Sequence, residues 1–305
     1  MKKLIIVVII VILVVLGIYF VTKSPSNTPV TPAPDVTTPG SIPLVTSTTM
    51  LPTPTNPDQT VIGQSVQGRD IVAYHYGQGA TELLFVGGIH GGYEWNTALV
   101  AYQMMDYLKK NPSAVASNLK VTVIPVLNPD GLAKVIGAST TGAFLPTAVA
   151  SSQETQVAGR FNGNTVDLNR NFDCDWQATG TWQKKKVSGG SVAFSEPESQ
   201  AMKTYVETSK PAAVVVWYSS AGGVFASSCH NGVSPETNTL TKTFADASGY
   251  PAHQSFDFYA ITGDMVNWLA KNNIPAISVL LTNHTDTEWS KNQAGIEAVL
   301  KSYAK

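Results

Sequence analysis

Four apolar runs, at residues 83–86, 121–127, 212–217 and 274–281, constrain this chain more than anything else in it. Each is short, rich in Val, Ile and Leu, and followed by polar or glycine-containing sequence. A strand that is apolar along its whole length is buried on both faces, so a sheet of such strands must be covered by helices on both sides. The sequence between them supplies the helices. Ala98, Ala101, Tyr102, Met105 and Leu108 recur at helical spacing until Lys109, Lys110 and Pro112 mark a stop, and further helical segments fall near 196–210 and 292–304. Residues 62–66 and 71–74, on either side of Gly68, form a hairpin pattern. The fold predicted is a three-layer α/β/α sandwich around a mixed, mostly parallel sheet, and sheets of this kind bind ligands where their strands exit.

That sandwich accounts for residues 59–305. Residues 4–21 are 18 unbroken apolar or neutral residues. As a helix rising ~1.5 Å per residue they would reach ~27 Å, close to the thickness of a bilayer core. Lys2 and Lys3 precede them, and no small-x-small cleavage site follows. Residues 1–23 are therefore expected to be a transmembrane signal-anchor with the N-terminus in the cytoplasm and the rest outside. Residues 24–58 hold nine of the 18 prolines, with Thr and Ser and few large apolar side chains, which is the composition of a disordered linker. Fully extended it would reach on the order of 100 Å, and as a coil ~35 Å.

Only 13% of residues are charged and the net charge is −1, so no basic footprint for nucleic acid exists. Cys174 and Cys229 would face an oxidising exterior. Their spacing leaves both a disulfide and two buried thiols open.

The run at 83–86 leads into Gly87-Gly88-Ile89-His90-Gly91-Gly92-Tyr93-Glu94. An imidazole and a carboxylate at the exit of a strand are ligand types for Zn²⁺, but they supply two of the usual three. A second cluster, Asp167-Leu168-Asn169-Arg170-Asn171-Phe172, follows Arg160. A planar guanidinium beside an amide donor suits the grip of a carboxylate.

With Asn128-Pro129-Asp130-Gly131, with Gly189-Gly190 before Ser195-Glu196-Pro197-Glu198, and with Ile261-Thr262-Gly263-Asp264 before Trp268, these segments resemble the zinc carboxypeptidase family of the carboxypeptidase A type. The likeness runs from about residue 62 to 300. It implies that His90 and Glu94 are the first two zinc ligands, and that Asp167 orients His90 through its other ring nitrogen. By the same likeness Asn169 and Arg170 hold a substrate's terminal carboxylate and Arg160 polarises the scissile carbonyl. Tyr259 falls where the family has a mobile tyrosine over the substrate, and Val266 where a pocket residue tunes side-chain preference.

Three departures accompany the likeness. Three residues separate His90 from Glu94 where the family commonly has two, and the intervening glycines are expected to let the loop bulge. The family's third ligand, a histidine at a strand end, aligns with Tyr218 through Gly222-Gly223-Val224-Phe225, and a one-residue slip would place Ser219 there. The family's general-base glutamate aligns with Leu280. Neither Tyr218 nor Leu280 can do the family's chemistry, so Tyr218 is expected to be a filler and Zn²⁺ to bind weakly or not at all. His230, His284, Asp286 and Glu288 are expected to be solvated loop residues.

The resemblance and its departures imply a membrane-anchored, extracytoplasmic zinc carboxypeptidase-like protein that is degenerate, inactive or impaired, and binds peptide C-termini or cell-wall peptides. The alternative is an active metallocarboxypeptidase, removing C-terminal residues from peptides with an altered ligand set.

Overall fold

A computed structural model of the chain describes residues 58–137 and 140–305. The expected signal-anchor and all but the last residue of the expected linker lie outside the described residues. Among those described, no helix is long and apolar enough to cross a membrane.

One eight-stranded sheet organises the described chain. Its strands are β1 (Asp58–Gln64), β2 (Asp70–Tyr76), β3 (Thr81–Val86), β4 (Leu119–Ile124), β7 (Ala213–Ser219), β8 (Gly223–Ala226), β9 (Ala252–His253) and β10 (Ala276–Leu281), in the spatial order β1-β2-β4-β3-β7-β10-β8-β9. The central strands β4, β3, β7 and β10 are all parallel to their neighbours in that set. Antiparallel pairs flank them, β1 with β2, β2 with β4, and β10 with β8. A small hairpin, β5 (Thr179–Trp182) with β6 (Lys185–Ser188), stands apart. The predicted mixed, mostly parallel sheet is present, and its central strands come from the four apolar runs. The second of these ends earlier than its sequence suggests. β4 stops at Ile124, because Pro125 has no N–H for the ladder and Asn128 caps the next helix by accepting from Gly131 N at 2.8 Å.

Side chains alternate between two cores, as the two-residue period of a strand requires. Leu83, Phe85, Val215, Trp217, Ile277 and Val279 pack on one side, under α1 (Trp95–Lys110), α2 (Pro129–Ile136), α5 (Pro235–Ser248) and α7 (Trp289–Tyr303). Leu84, Val86, Val214, Val216, Tyr218 and Leu280 pack on the other, under α4 (Pro197–Ser209) and α6 (Met265–Lys271). The short α3 (Gln153–Ala158) lies in the connection after α2. Two consequences matter for the site. Tyr218 and Leu280 share a face, and they are register partners on adjacent parallel strands.

Cys174 and Cys229 form a disulfide with their Cα atoms 6.2 Å apart, which decides between the two alternatives the spacing left open.

Candidate active site

β3 ends at Val86, and the chain turns sharply through Gly87–Gly92 before α1 begins at Trp95. Gly91 adopts φ +43°, and a Cβ there would lie 2.8 Å from both the Gly131 backbone and the Gly159 carbonyl, so no larger side chain fits. The turn absorbs the extra residue between His90 and Glu94. It still brings His90 Nδ1 within 2.8 Å of Glu94 Oε1, with both side chains buried.

Beneath this pair lies a buried charge network. His90 Nε2 is 3.3 Å from Asp167 Oδ1, and Arg160 places Nε and Nη2 each 2.9 Å from Asp167 Oδ2. Arg160 Nη1 also lies 3.6 Å from Glu94 Oε1, and its guanidinium sits 4.5 Å from the centre of the Trp182 ring. Burial opposes the charge of Asp167, but Arg160, His90 and Arg170 together hold its carboxyl well below the usual carboxylate range. Arg160, expected to face a substrate carbonyl, is thus engaged by Asp167 and nearly closed off from solvent.

Asn169 and Arg170 sit on a short 3-10 turn, residues 168–170, that Asp167 caps through Asn169 N at 3.1 Å. Arg170 donates Nη1 to Asn169 O at 2.7 Å and both Nε and Nη2 to Thr181 O at 3.2 and 2.6 Å. Of five guanidinium N–H groups, one on each terminal nitrogen is left for a ligand. The Tyr259 ring lies 5.9 Å from this guanidinium.

These residues open on one cleft of about 540 Å³, lined among others by His90, Glu94, Arg160, Asn169, Arg170, Tyr218, Tyr259, Val266, Leu280 and His284. The size is that of a small-ligand or peptide-end pocket. Every sequence-predicted site residue lines it except Asp167, which lies behind His90. Asp264 also lines it and was not singled out as a site residue by the sequence. Burial pushes its carboxyl up to about 6, and its Oδ1 is buried without a partner.

His284 departs from expectation: it is no solvated loop residue. Its ring lies 4.6 Å from that of Tyr93, and Nδ1 is 2.7 Å from Ser219 Oγ. Neighbouring bonds fix its tautomer. Asn96 Nδ2 donates to the carbonyls of Asn283 and Asp286, so Asn96 Oδ1 is an acceptor and takes the Ser219 hydroxyl proton at 3.2 Å. Ser219 Oγ must then accept from His284, which places the ring proton on Nδ1 and leaves Nε2 as the acceptor, with Ser220 Oγ 3.5 Å away. Burial lowers the His284 pKa, which keeps the ring neutral. The only sequence signal for this placement is that the residue follows the end of a central strand. Of the other expected loop residues, His230 and Asp286 are exposed loop residues as expected, His230 Nε2 pairing at the surface with Asp175 Oδ1 at 3.0 Å, whereas Glu288 is partly buried and accepts from Thr282 N and from Tyr250 at 2.8 Å.

His90 and Glu94 have atoms suited to zinc, and neither ring nitrogen of His90 makes a well-directed hydrogen bond despite the short contacts, as suits a ligand nitrogen. Among the described residues no third Cys, His, Asp or Glu completes a ligand set with them, and the one cluster of three is Cys174, Cys229 and His230, whose ligand atoms lie within 4.8 Å of one another. Its two sulfurs are joined to each other and offer no thiolate. Tyr218 holds the strand-end place, its ring 5.7 Å from that of His90. Burial, with Asp264 and Glu94 nearby, drives its phenol well above its ordinary pKa, and its hydroxyl proton is taken by Asn169 Oδ1 at 3.2 Å. The residues do not form a three-ligand zinc site.

A buried His–Glu loop at the end of a central parallel strand, with an arginine-asparagine pair across the cleft, defines the metallopeptidase class of α/β sandwich. The zinc carboxypeptidase profile matches residues 53–294, and the chain belongs to that family. The chain is 26% identical over 219 residues to γ-D-glutamyl-L-diamino acid endopeptidase 1 of Lysinibacillus sphaericus, covering 66% of this chain and 55% of that protein. It is 25% identical to the human carboxypeptidase N catalytic chain, covering 64% of this chain and 40% of that one. The chain thus spans about half the length, or less, of these relatives. Murein-tripeptide amidase from Escherichia coli O157 superposes with a TM-score of 0.56 at 18% identity, over 82% of this chain and 94% of the other. Thrombin-activatable fibrinolysis inhibitor superposes with a TM-score of 0.64 at 16% identity, over 81% and 68%. Likeness at that identity establishes the shared fold.

Proposed function

We propose that this chain is a membrane-anchored, extracytoplasmic member of the family that binds peptides by a free C-terminal carboxylate and does not cleave them. One observation carries the reading: Tyr218 and Leu280, partners across adjacent strands, fill the third-ligand and general-base places with a protonated phenol and an alkyl chain, while Asn169 and Arg170 keep donors toward the cleft. Without the family's base, and with two zinc-type ligands instead of three, the family's means of activating water is missing. A carboxylate still has a guanidinium and an amide to meet it. The relatives named for γ-D-glutamyl-diamino acid and murein peptides support cell-wall peptides as the ligand class.

The test is a peptide pair. Acetyl-Ala-Ala-Leu with a free carboxylate should bind at least ~10-fold more tightly than its amide by calorimetry, the worth of one or two charge-assisted hydrogen bonds. Neither should be hydrolysed, and the purified protein should carry far less than one zinc per chain. Stoichiometric zinc with cleavage that needs the free carboxylate would sink this reading. It would favour the second, an active carboxypeptidase with an altered ligand set, for which His284 in the same cleft, its Nε2 held only by a long contact to Ser220 Oγ, is the specific support.

In this reading residues 1–23 anchor the chain, residues 24–58 space it from the membrane, and residues 59–305 bind. Full-length protein should then pellet with membranes, resist extraction by high salt and be released by detergent. Release by salt alone would refute the anchor.

A further inference from the structure

The Tyr218 hydroxyl donates to Asn169 Oδ1 at 3.2 Å. The same oxygen accepts from Met265 N at 3.1 Å. Two donors on one atom fix which end of the amide is which: turned over, an N–H would face the Met265 N–H and the buried phenol would lose its acceptor. Nδ2 is therefore the end left for the cleft that Asn169 lines, and it has no protein acceptor among the described residues. Donation into the oxygen also polarises the amide, which strengthens its N–H groups as donors. The backbone carbonyl of Asn169 meanwhile holds Arg170 Nη1 at 2.7 Å. One residue thus links both halves of the grip, and Tyr218 braces its side chain.

We infer that Tyr218 is a positioning residue for carboxylate recognition: its hydroxyl holds the Asn169 amide with Nδ2 toward the cleft, where a peptide's terminal carboxylate accepts from it. The place the family gives to a metal ligand here serves the binding of the ligand's charged end. This inference rests on the binding reading above. The competing account is that the Tyr218 ring fills space and its hydroxyl is incidental, in which case Phe would serve equally.

Tyr218→Phe removes the hydroxyl and keeps the ring. Free-acid and amidated acetyl-Ala-Ala-Leu are titrated into the wild-type protein, Tyr218→Phe, Asn169→Ala and the double variant, with the melting temperature of each recorded. The expected result is a loss of about three- to tenfold in affinity for the free acid, the worth of one hydrogen bond, with the amide unchanged. No further loss is expected when Tyr218→Phe is added to Asn169→Ala. A general loosening of the cleft would move both peptides together and would persist in the Asn169→Ala background. If the wild type prefers the free acid and Tyr218→Phe keeps that preference, or still lowers it without Asn169, this inference is overturned and the binding reading stands. If the wild type shows no preference, the binding reading fails and takes the inference with it. Should Tyr218→Phe not fold, Tyr218→Leu, which also lacks the hydroxyl, takes its place in the same cycle.

Discussion

Tyr218→His combined with Leu280→Glu is expected to give a protein that binds zinc stoichiometrically and removes C-terminal residues from free-acid peptides, with a rate at least ~100-fold above either single variant, the low end of what a positioned base contributes. The expectation follows from the register. Leu280 pairs with Tyr218 across parallel strands, and both side chains enter the same core beside the cleft. Each single reversion places a polar group against the partner's bulk. Leu280→Glu alone would bury a carboxylate in the cleft that Asp264 also lines, at a cost on the order of 1–3 kcal/mol or more. Tyr218→His alone completes a ligand set of His90, Glu94 and the introduced imidazole without a base. Initial rates with and without a chelator, on the free acid and its amide, read the outcome. If the double variant folds, holds zinc and remains inert, the assignment of one of the two positions is wrong.

That adjacency was hidden in the sequence. The departures lie 62 positions apart along the chain and look there like two independent losses. Parallel pairing makes them neighbours, so on the proposed reading a phenol and an alkyl chain on one face of the sheet take the places of two polar groups. Full burial of a Leu-sized side chain contributes about 1.5–3 kcal/mol relative to exposure.

The four central strands and the placement of His90 at a strand exit were legible, because a two-residue period and continuous apolar runs are properties of the chain itself. The burial of Tyr218 at the end of its apolar strand was legible too. Its bond to Asn169 was not, because the two residues meet only when β7 packs over the 168–170 turn. His284 escaped for a similar reason: Asn96, on α1, fixes its ring through Ser219 on β7, a chain of contacts that no spacing announces. Arg160 was assigned a substrate-facing role by resemblance, and the ion pair that its Nε and Nη2 make with Asp167 while it lines the cleft was not legible in the spacing.

Asp167→Ala is expected to destabilise the fold by about 3–5 kcal/mol, because it leaves the Arg160 guanidinium buried without its counter-charge. Asp167 is completely buried and Arg160 is 2% exposed, so water cannot replace the lost partner, and the Asn169 N–H at the start of the 168–170 turn loses its cap. In a domain of this size the melting temperature should fall by roughly 6–20 °C. Arg160→Met with Asp167→Leu removes both charges and should cost less than Asp167→Ala alone, an ordering that simple loss of contacts would reverse. Acid supplies a second check. The folded carboxyl titrates well below its unfolded value near ~3.9, so its stabilisation is fully present above that pH and is lost as pH falls toward the folded value. The gap between wild type and Asp167→Ala should therefore be constant at neutral pH and narrow below about pH 4. A gap of the same size at pH 2.5 and pH 7 would mean that Asp167 stabilises the site through packing and not through its charge.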